Sequence, residues 1–318
     1  MSTIWGKPRT MDSIINNTPL VSINILSYNR KDELKNTLQQ VYSQNYKSIE
    51  VIVVDNDSSD GTSEMVTKEF PEVKFMGLNN NVGISGWNEG FKIALGEYIL
   101  VLDDDSYPDK ETIQKGIDEF QKNDRLGIVA FEIFNTRIKK SETKEFLPRP
   151  YLFVGCGALI KKELLNKIGY YNEDYFIYLH ELDYSARCYD HGYEIMYLPS
   201  VLVFHNQNMN SRGKSNEDPF RSRYRYKYYF INYSIFLIQR FPLSKSVYYL
   251  LKWIGNRLIV SLYYFYFFEF FSSLFRITIN FEKYYRERSI LKYATQKFYN
   301  YGNVPLIDPA FFRRNAYS

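Results

Sequence analysis

The sequence predicts an α/β fold, a mostly parallel sheet with helices on both faces, followed by a helical, aromatic-rich C-terminal extension. Three observations carry this. Apolar runs of strand length alternate with helix-periodic segments through the first two hundred residues. One of these runs, "YILVL" at 98–102, breaks abruptly into Asp103, Asp104 and Asp105. Beyond about residue 216 the alternation gives way to long, tyrosine-rich apolar stretches.

In order along the chain, residues 20–28, "LVSINILSY", read as a buried strand. "KDELKNTLQQVYSQ" follows, with Leu34, Leu38 and Val41 at helical spacing. "IEVIVVDN" is a second strand, and "DGTSEMVTKEF" opens as a helix after polar capping residues. "VKFMGL" is a third strand. "NNNVGISGWNEGFKIAL" is a glycine-broken loop running into a helix, and the fourth strand ends in the aspartates. No internal repeat interrupts the pattern.

Bulk composition narrows the class. The 318 residues, 45% hydrophobic and 24% charged, suffice for one large folded domain with an extension, or for two domains. A net charge of +4 is too small to argue for nucleic acid as a partner. Only Cys156 and Cys188 are present, so a reducing, cytoplasmic compartment is expected rather than a disulfide framework. The first 18 residues lack the apolar core of a signal peptide and read as a loosely held tail.

In open α/β sheets ligands gather at the carboxyl ends of strands, and here those ends are polar. Strand one ends at Ser27, Tyr28, Asn29 and Arg30, strand two at Asp55, Asn56 and Asp57, strand four at the aspartates. Three adjacent carboxylates repel one another and lose hydration unless something positive sits among them. A hard divalent cation bridging carboxylates to a diphosphate meets that need. A solvated acidic loop or a helix cap is the bland alternative. Gly83, Gly86 and Gly90 do not form the dinucleotide-binding pattern and follow the third strand, which argues against hydride transfer. These glycines either let backbone approach a phosphate or permit tight helix packing.

Taken together and in order, "SYNR", "VIVVDNDSSDGT", "NNNVGISGWNEG" and "LVLDDD" resemble family 2 glycosyltransferases of the GT-A fold, most of all the rhamnosyltransferase and galactofuranosyltransferase branch. The resemblance covers roughly residues 20–240. It implies that Asp55 contacts the nucleotide base, with Ser27, Tyr28, Asn29, Arg30, Asn56 and Asp57 near the nucleotide. It also implies that Asn81, Gly83 and Trp87 line the donor, that Asp103 contacts ribose and metal and Asp105 binds metal, and that Asp104, in the motif's variable middle position, lies with the donor nucleotide. "GCGALIKKELLNKIGYYNEDYFIYLHELDYSARCYDHGYEI" resembles the acceptor segment, which assigns Gly155, Cys156, Gly157 and His180 to the acceptor. The family's usual Glu-Asp pair is His180-Glu181 here, so the catalytic carboxylate aligns with Glu181, followed by Asp183. In a helix these two point about 200° apart and cannot both face one hydroxyl; the resemblance favours Glu181 as base and leaves Asp183 to hold the loop or contact the acceptor, unless both simply cap the helix. His205, ending "SVLVFH", aligns with a histidine metal ligand.

The implied enzyme is a metal-dependent inverting glycosyltransferase using Mn²⁺ or Mg²⁺. Its donor would be a dTDP- or UDP-linked sugar, rhamnose or galactofuranose favoured. Its acceptor would be a hydroxyl of a bacterial surface polysaccharide or lipid-linked glycan precursor. A sugar-phosphate nucleotidyltransferase would need a glycine-rich loop where "SYNRKDEL" stands; a non-catalytic carbohydrate-binding protein is the remaining alternative.

The expected organisation is a GT-A domain over 19–215, with a donor half to about 125 and an acceptor half from about 126, and a helical region over 216–318. "RSRYRYKYYF" suits anionic headgroups or a diphosphate. "LIVSLYYFYFFEFFSSLF", 258–275, reads as an interfacial helix on the cytoplasmic membrane surface, as a dimer or core helix, or as a span.

Overall fold

Strand-forming β-branched and aliphatic runs build the sheet, and the computed structural model describes it over residues 18–143, 150–206 and 222–300. The N-terminal tail over 1–17 and the ends of the C-terminal region, 216–221 and 301–318, lie outside the described residues. β1 (Val21–Ser27), β2 (Ile49–Asp55), β3 (Lys74–Gly77) and β4 (Tyr98–Asp103) pair in parallel in the order β3-β2-β1-β4. They are joined by α1 (Lys31–Tyr42), α2 (Thr62–Glu69) and α3 (Gly86–Ile93). The sheet continues through β8 (Ala158–Lys161), β6 (Leu126–Asn135), β9 (Glu194–His205) and β5 (Ser106–Pro108), with β7 (Lys140–Ser141) on β6. β8 runs antiparallel between β4 and β6, and β5 antiparallel on β9, so the sheet is mixed but mostly parallel. α4 (Thr112–Lys122) and α5 (Lys162–Ile168) complete the α/β part, with two hydrophobic cores on its two faces.

Glycines set the spacing of α3 against the sheet. A Cβ on Gly86 would lie 2.5 Å from Leu26 Cδ1, and one on Gly90 2.0 Å from Asn24 Oδ1. These two positions therefore serve close helix packing. Gly83 differs. Its φ is +66°, and a Cβ there would sit 1.9 Å from the Phe176 carbonyl oxygen, which accepts from Ile84 N.

The C-terminal helices are α7 (Arg223–Arg240), α8 (Leu243–Tyr264), α9 (Phe267–Ile279), α10 (Phe281–Arg286) and α11 (Tyr293–Phe298). From Phe230 to Arg240 every residue of α7 is buried, and its apolar side chains join the same core as β4, β8 and α6 (His180–Asp190). Asp183, fully buried on α6, receives Arg187 Nε at 2.9 Å and, from α7, Arg240 Nε at 2.6 Å. Burial alone would raise its pKa; the two guanidiniums overcome this and hold it below the usual aspartate range. The run 258–275 is not one helix: Phe265 adopts a left-handed φ of +57°, and α8 ends as α9 begins. No described helix is long and apolar enough to cross a membrane.

Two stability tests follow. Arg240→Met leaves a buried carboxylate short of a partner and is expected to cost about 3 kcal/mol, read by urea unfolding. Because Asp183 is depressed, its contribution is present above the ordinary aspartate pKa and fades as pH falls through the lowered value. Gly83→Ala is expected to cost at least about 1–3 kcal/mol from the left-handed backbone, with the clash added; a midpoint within error of wild type would refute the close approach to Phe176.

Candidate active site

The β1–β2 and β1–β4 registers align Ser27 with Asp55 and Leu26 with Asp103. The polar strand ends thus meet at one edge of the sheet. There they form one wall of a cavity of about 730 Å³. The opposite wall comes from Phe176–Tyr178, the first turn of α6 and the first turns of α7. Tyr178 and Leu179, with φ of +68° and +63°, are consecutive left-handed residues. Asn232 of α7 holds that strained turn by donating to the Ile177 and Tyr178 carbonyls at 2.7 and 2.9 Å.

Arg30 is the positive charge among the aspartates. Its Nη1 lies 2.9 Å from Asp104 Oδ1 and 2.5 Å from Asp105 Oδ2. Burial opposes the guanidinium charge, but the two carboxylates outweigh it and push the Arg30 pKa up. Burial also pushes Asp104 up, to about 7, against the pull of Arg30. Ser27 Oγ and Tyr28 N both donate to Asp104 Oδ2 at 3.2 Å, so three donors fit the ionised form. Asp104 is therefore an organiser of the β1 loop.

Asp103, Cys156 and His205 bring one ligand atom each to within 4.8 Å of one another. A carboxylate oxygen and an imidazole nitrogen suit Mn²⁺, while Mg²⁺ favours oxygen alone; the thiol is a softer addition. His205 Nε2 is 3.3 Å from Asp105 Oδ1 and Nδ1 3.2 Å from Glu142 Oε1. Burial disfavours its charge, yet the two carboxylates raise its pKa to about 10. A cation seated here would compete with that proton. Asp105 adjoins the trio through His205, with its other oxygen on Arg30.

Glu181 and Asp183 face opposite ways. Glu181 lines the cavity, and Gly155 N points to its Oε1 at 3.4 Å. Burial pushes its pKa up to about 7, with Asp103 adding to the rise. His180 lies beside it, Nδ1 3.0 Å from Glu181 Oε2, between the rings of Trp87 and Tyr171. Burial lowers the His180 pKa to about 3, which leaves it neutral. Gly155 makes room: a Cβ there would be 3.1 Å from His180 Nε2. Asp183 is not a cavity residue; it is committed to Arg187 and Arg240.

Of the remaining sequence candidates, Ser27, Tyr28, Asn56, Asn81, Gly83, Trp87 and Cys156 line the cavity. Asn29, Asp55, Asp57 and Gly157 do not. Asn29 joins the first two strand-end loops, its side chain accepting from Ser59 N at 2.8 Å. Asp55 accepts from Ser58 N at 3.0 Å and from the Ser58 hydroxyl. Asp57 turns outward with φ +66°. Gly157 packs on the β6 and β9 side chains, where a Cβ would meet Ile133 at 2.4 Å. Sequence reasoning missed Glu142, which stands in no recognisable pattern, and singled out none of Phe176, Ile177 and Tyr178, although they lie in the segment read as the acceptor's. It read Tyr224, Arg225 and Tyr229 only as part of an alternating Arg/Tyr stretch suited to anionic headgroups or a diphosphate; all three line the cavity.

Comparison with known proteins agrees with this architecture. The sequence profile described as Glycosyl transferase family 2 matches residues 22–184. Poly-beta-1,6-N-acetyl-D-glucosamine synthase of Staphylococcus epidermidis is 30% identical over 211 residues, 58% of this chain and 49% of that protein. The chain thus spans about half the length of the curated relatives it matches. Among solved structures, S. aureus TarS 1–349 in complex with UDP-GlcNAc aligns with a TM-score of 0.55 at 19% identity, over 75% of this chain and 72% of that one. The mannosyltransferase PcManGT of Pyrobaculum calidifontis, in complex with GDP-Man and Mn²⁺, aligns at 0.54 and 18% identity, over 83% and 76%. At these identities the structural likeness speaks for the GT-A fold alone, whereas the profile covers half of the sequence, and with it the strand ends and Glu181: the chain belongs to glycosyl transferase family 2.

Proposed function

We infer that this protein transfers a sugar from a nucleoside diphosphate to a glycan hydroxyl with inversion, using Glu181 as base. The observation that carries this reading is the cavity itself. It sets a buried carboxylate with a pKa near 7 across from a carboxylate–imidazole cluster. Tyr28, 45% exposed at the rim, offers a ring on which a nucleobase stacks, and Asn56 and Asn81 offer amides nearby.

The acceptor oxygen attacks the anomeric carbon on the face away from the diphosphate. The bond from that carbon to the diphosphate oxygen breaks, and the acceptor proton passes to Glu181. The neutral His180 ring, wedged against Trp87 and Tyr171, packs beside the Glu181 carboxylate. Arg30 keeps Asp104 and Asp105 from repelling a second anion. Asp103 and His205, with Cys156 beside them and Asp105 adjoining through His205, would hold a divalent cation, which supplies the positive charge that the departing diphosphate requires.

The donor sugar has two supported readings. The motif order favours a deoxyhexose or galactofuranose on dTDP or UDP; the poly-N-acetylglucosamine synthase relatives favour UDP-GlcNAc. The acceptor is read as a bacterial surface polysaccharide or its lipid-linked precursor, elongated at the cytoplasmic membrane surface. A panel of nucleotide sugars with Mn²⁺, scored by release of nucleoside diphosphate, separates these donors. No turnover across the panel in the presence of acceptor glycans would favour a carbohydrate-binding role instead.

Glu181→Gln is expected to retain nucleotide binding and lose transfer by at least about 10²-fold. Wild-type kcat/KM should rise with pH through about 7 as Glu181 deprotonates. A flat profile from pH 5 to 9, with chemistry shown to limit the rate, would move the base elsewhere. Asp103→Ala and His205→Ala should each weaken Mn²⁺ binding by at least about 100-fold, more than outer-sphere changes typically do. Titration calorimetry with UDP present reads this without turnover; unchanged affinity in both would place the cation elsewhere.

A further inference from the structure

Helices α8 and α9 each bury a narrow stripe against the rest of the protein, Trp253, Arg257 and Ser261 on one and Phe270, Ser273 and Ile277 on the other. Their opposite faces are apolar as well. Leu251 and Ile259 are each 67% exposed, Tyr263 71%, Phe268 78%, Phe271 62% and Phe275 67%. Exposed apolar side chains concentrated on one pair of helices mark a contact site.

Charge says what covers it. Over 243–300 nine Lys and Arg stand against three Glu, a net of +6, whereas the whole chain carries only +4. The basic excess of the molecule is therefore concentrated in the segment that carries the apolar face. Glu269, the only acidic residue from 243 to 281, is engaged by Arg223 at 2.9 and 3.0 Å. Lys252 rises from the face beside Tyr248. Exposed aromatic and aliphatic groups interspersed with cations, on helices too short or too polar to span, match the interfacial zone of an anionic bilayer.

We propose that the outer faces of α8 and α9 dock this protein on an anionic lipid surface, so that its acceptor is a lipid-anchored glycan presented from that surface. This rests on the glycosyl-transfer reading for the acceptor, though not for the docking. The link to the active site is short. Arg223, bound to Glu269 of α9 and stacked on Tyr266, is followed directly by Tyr224 and Arg225, which line the cavity. Docking through α9 brings the cavity mouth to the lipid headgroups.

The test uses the full chain with vesicles of phosphatidylcholine alone or mixed with phosphatidylglycerol, read by flotation. Binding to the anionic vesicles is expected, weakened by salt, and abolished by alkaline carbonate. The double variant Phe268→Ser/Phe271→Ser changes only exposed side chains and should lower partitioning at least about tenfold, since burial of one Phe alone is worth a factor of about ten or more. Lys252→Ala should lower it about fivefold. Circular dichroism and UDP affinity, unchanged in both variants, confirm the fold. Three outcomes overturn the proposal: no flotation with either vesicle, binding that survives carbonate, or a dimer in sedimentation velocity that the same double variant dissociates. Vesicle binding without turnover of any nucleotide sugar would defeat the transfer reading and leave docking intact. Turnover of a soluble acceptor equal to that of a vesicle-borne one would defeat the acceptor assignment.

Discussion

One guanidinium makes the acidic end of this sheet possible. Three carboxylates in sequence at the mouth of a buried strand would repel one another and the substrate alike. Arg30, arriving from the neighbouring strand end, binds Asp104 and Asp105 together and leaves Asp103 toward the cavity. The arrangement sorts the triplet by task. Asp104 is spent on the β1 loop, Asp105 bridges Arg30 and His205, and Asp103 meets Cys156 and His205. The β1–β4 register, which brings Leu26 opposite Asp103, sets that geometry before any side chain is placed.

Much of this was legible from local pattern, because strand ends in a parallel sheet converge by topology. The apolar runs of β1, β2 and β4 and the stripe Leu34, Leu38 and Val41 are periodicities that need no long-range information. The requirement for a positive group among the aspartates was legible too, but not that Arg30 supplies it across more than seventy residues. β5 and β8 were not readable: one is three residues long, the other four, and each exists through antiparallel partners far away in sequence. Asp183 shows the same limit. Its spacing from Glu181 set the two on opposite sides of a helix, while only the fold reveals Arg240 waiting on the other side.

The cavity wall that carries Glu181 is built by a different economy. Its strained turn at Tyr178 and Leu179 receives Asp183 N on the Leu179 carbonyl at 3.2 Å from within the α/β part and is braced further from α7. Asn232, the bulk of α7 and the Asp183–Arg240 pair hold it from outside. Burial then acts on chemistry twice in adjacent residues, suppressing the charge of His180 and raising the pKa of Glu181. Burial thus leaves a neutral ring next to a carboxylate that titrates near neutrality.

The Asp183–Arg240 pair also carries an evolutionary consequence. A lineage that shed the C-terminal helices would strand a charge in the core and release the Tyr178 turn in the same event, because α7 supplies both partners. Exchange of that segment as an interchangeable cassette would require matched replacements for Arg240 and Asn232 at once. The extension and the sheet are therefore coupled as one structural unit, whereas substitutions on the outward faces of α8 and α9 leave the Arg240 and Asn232 contacts untouched.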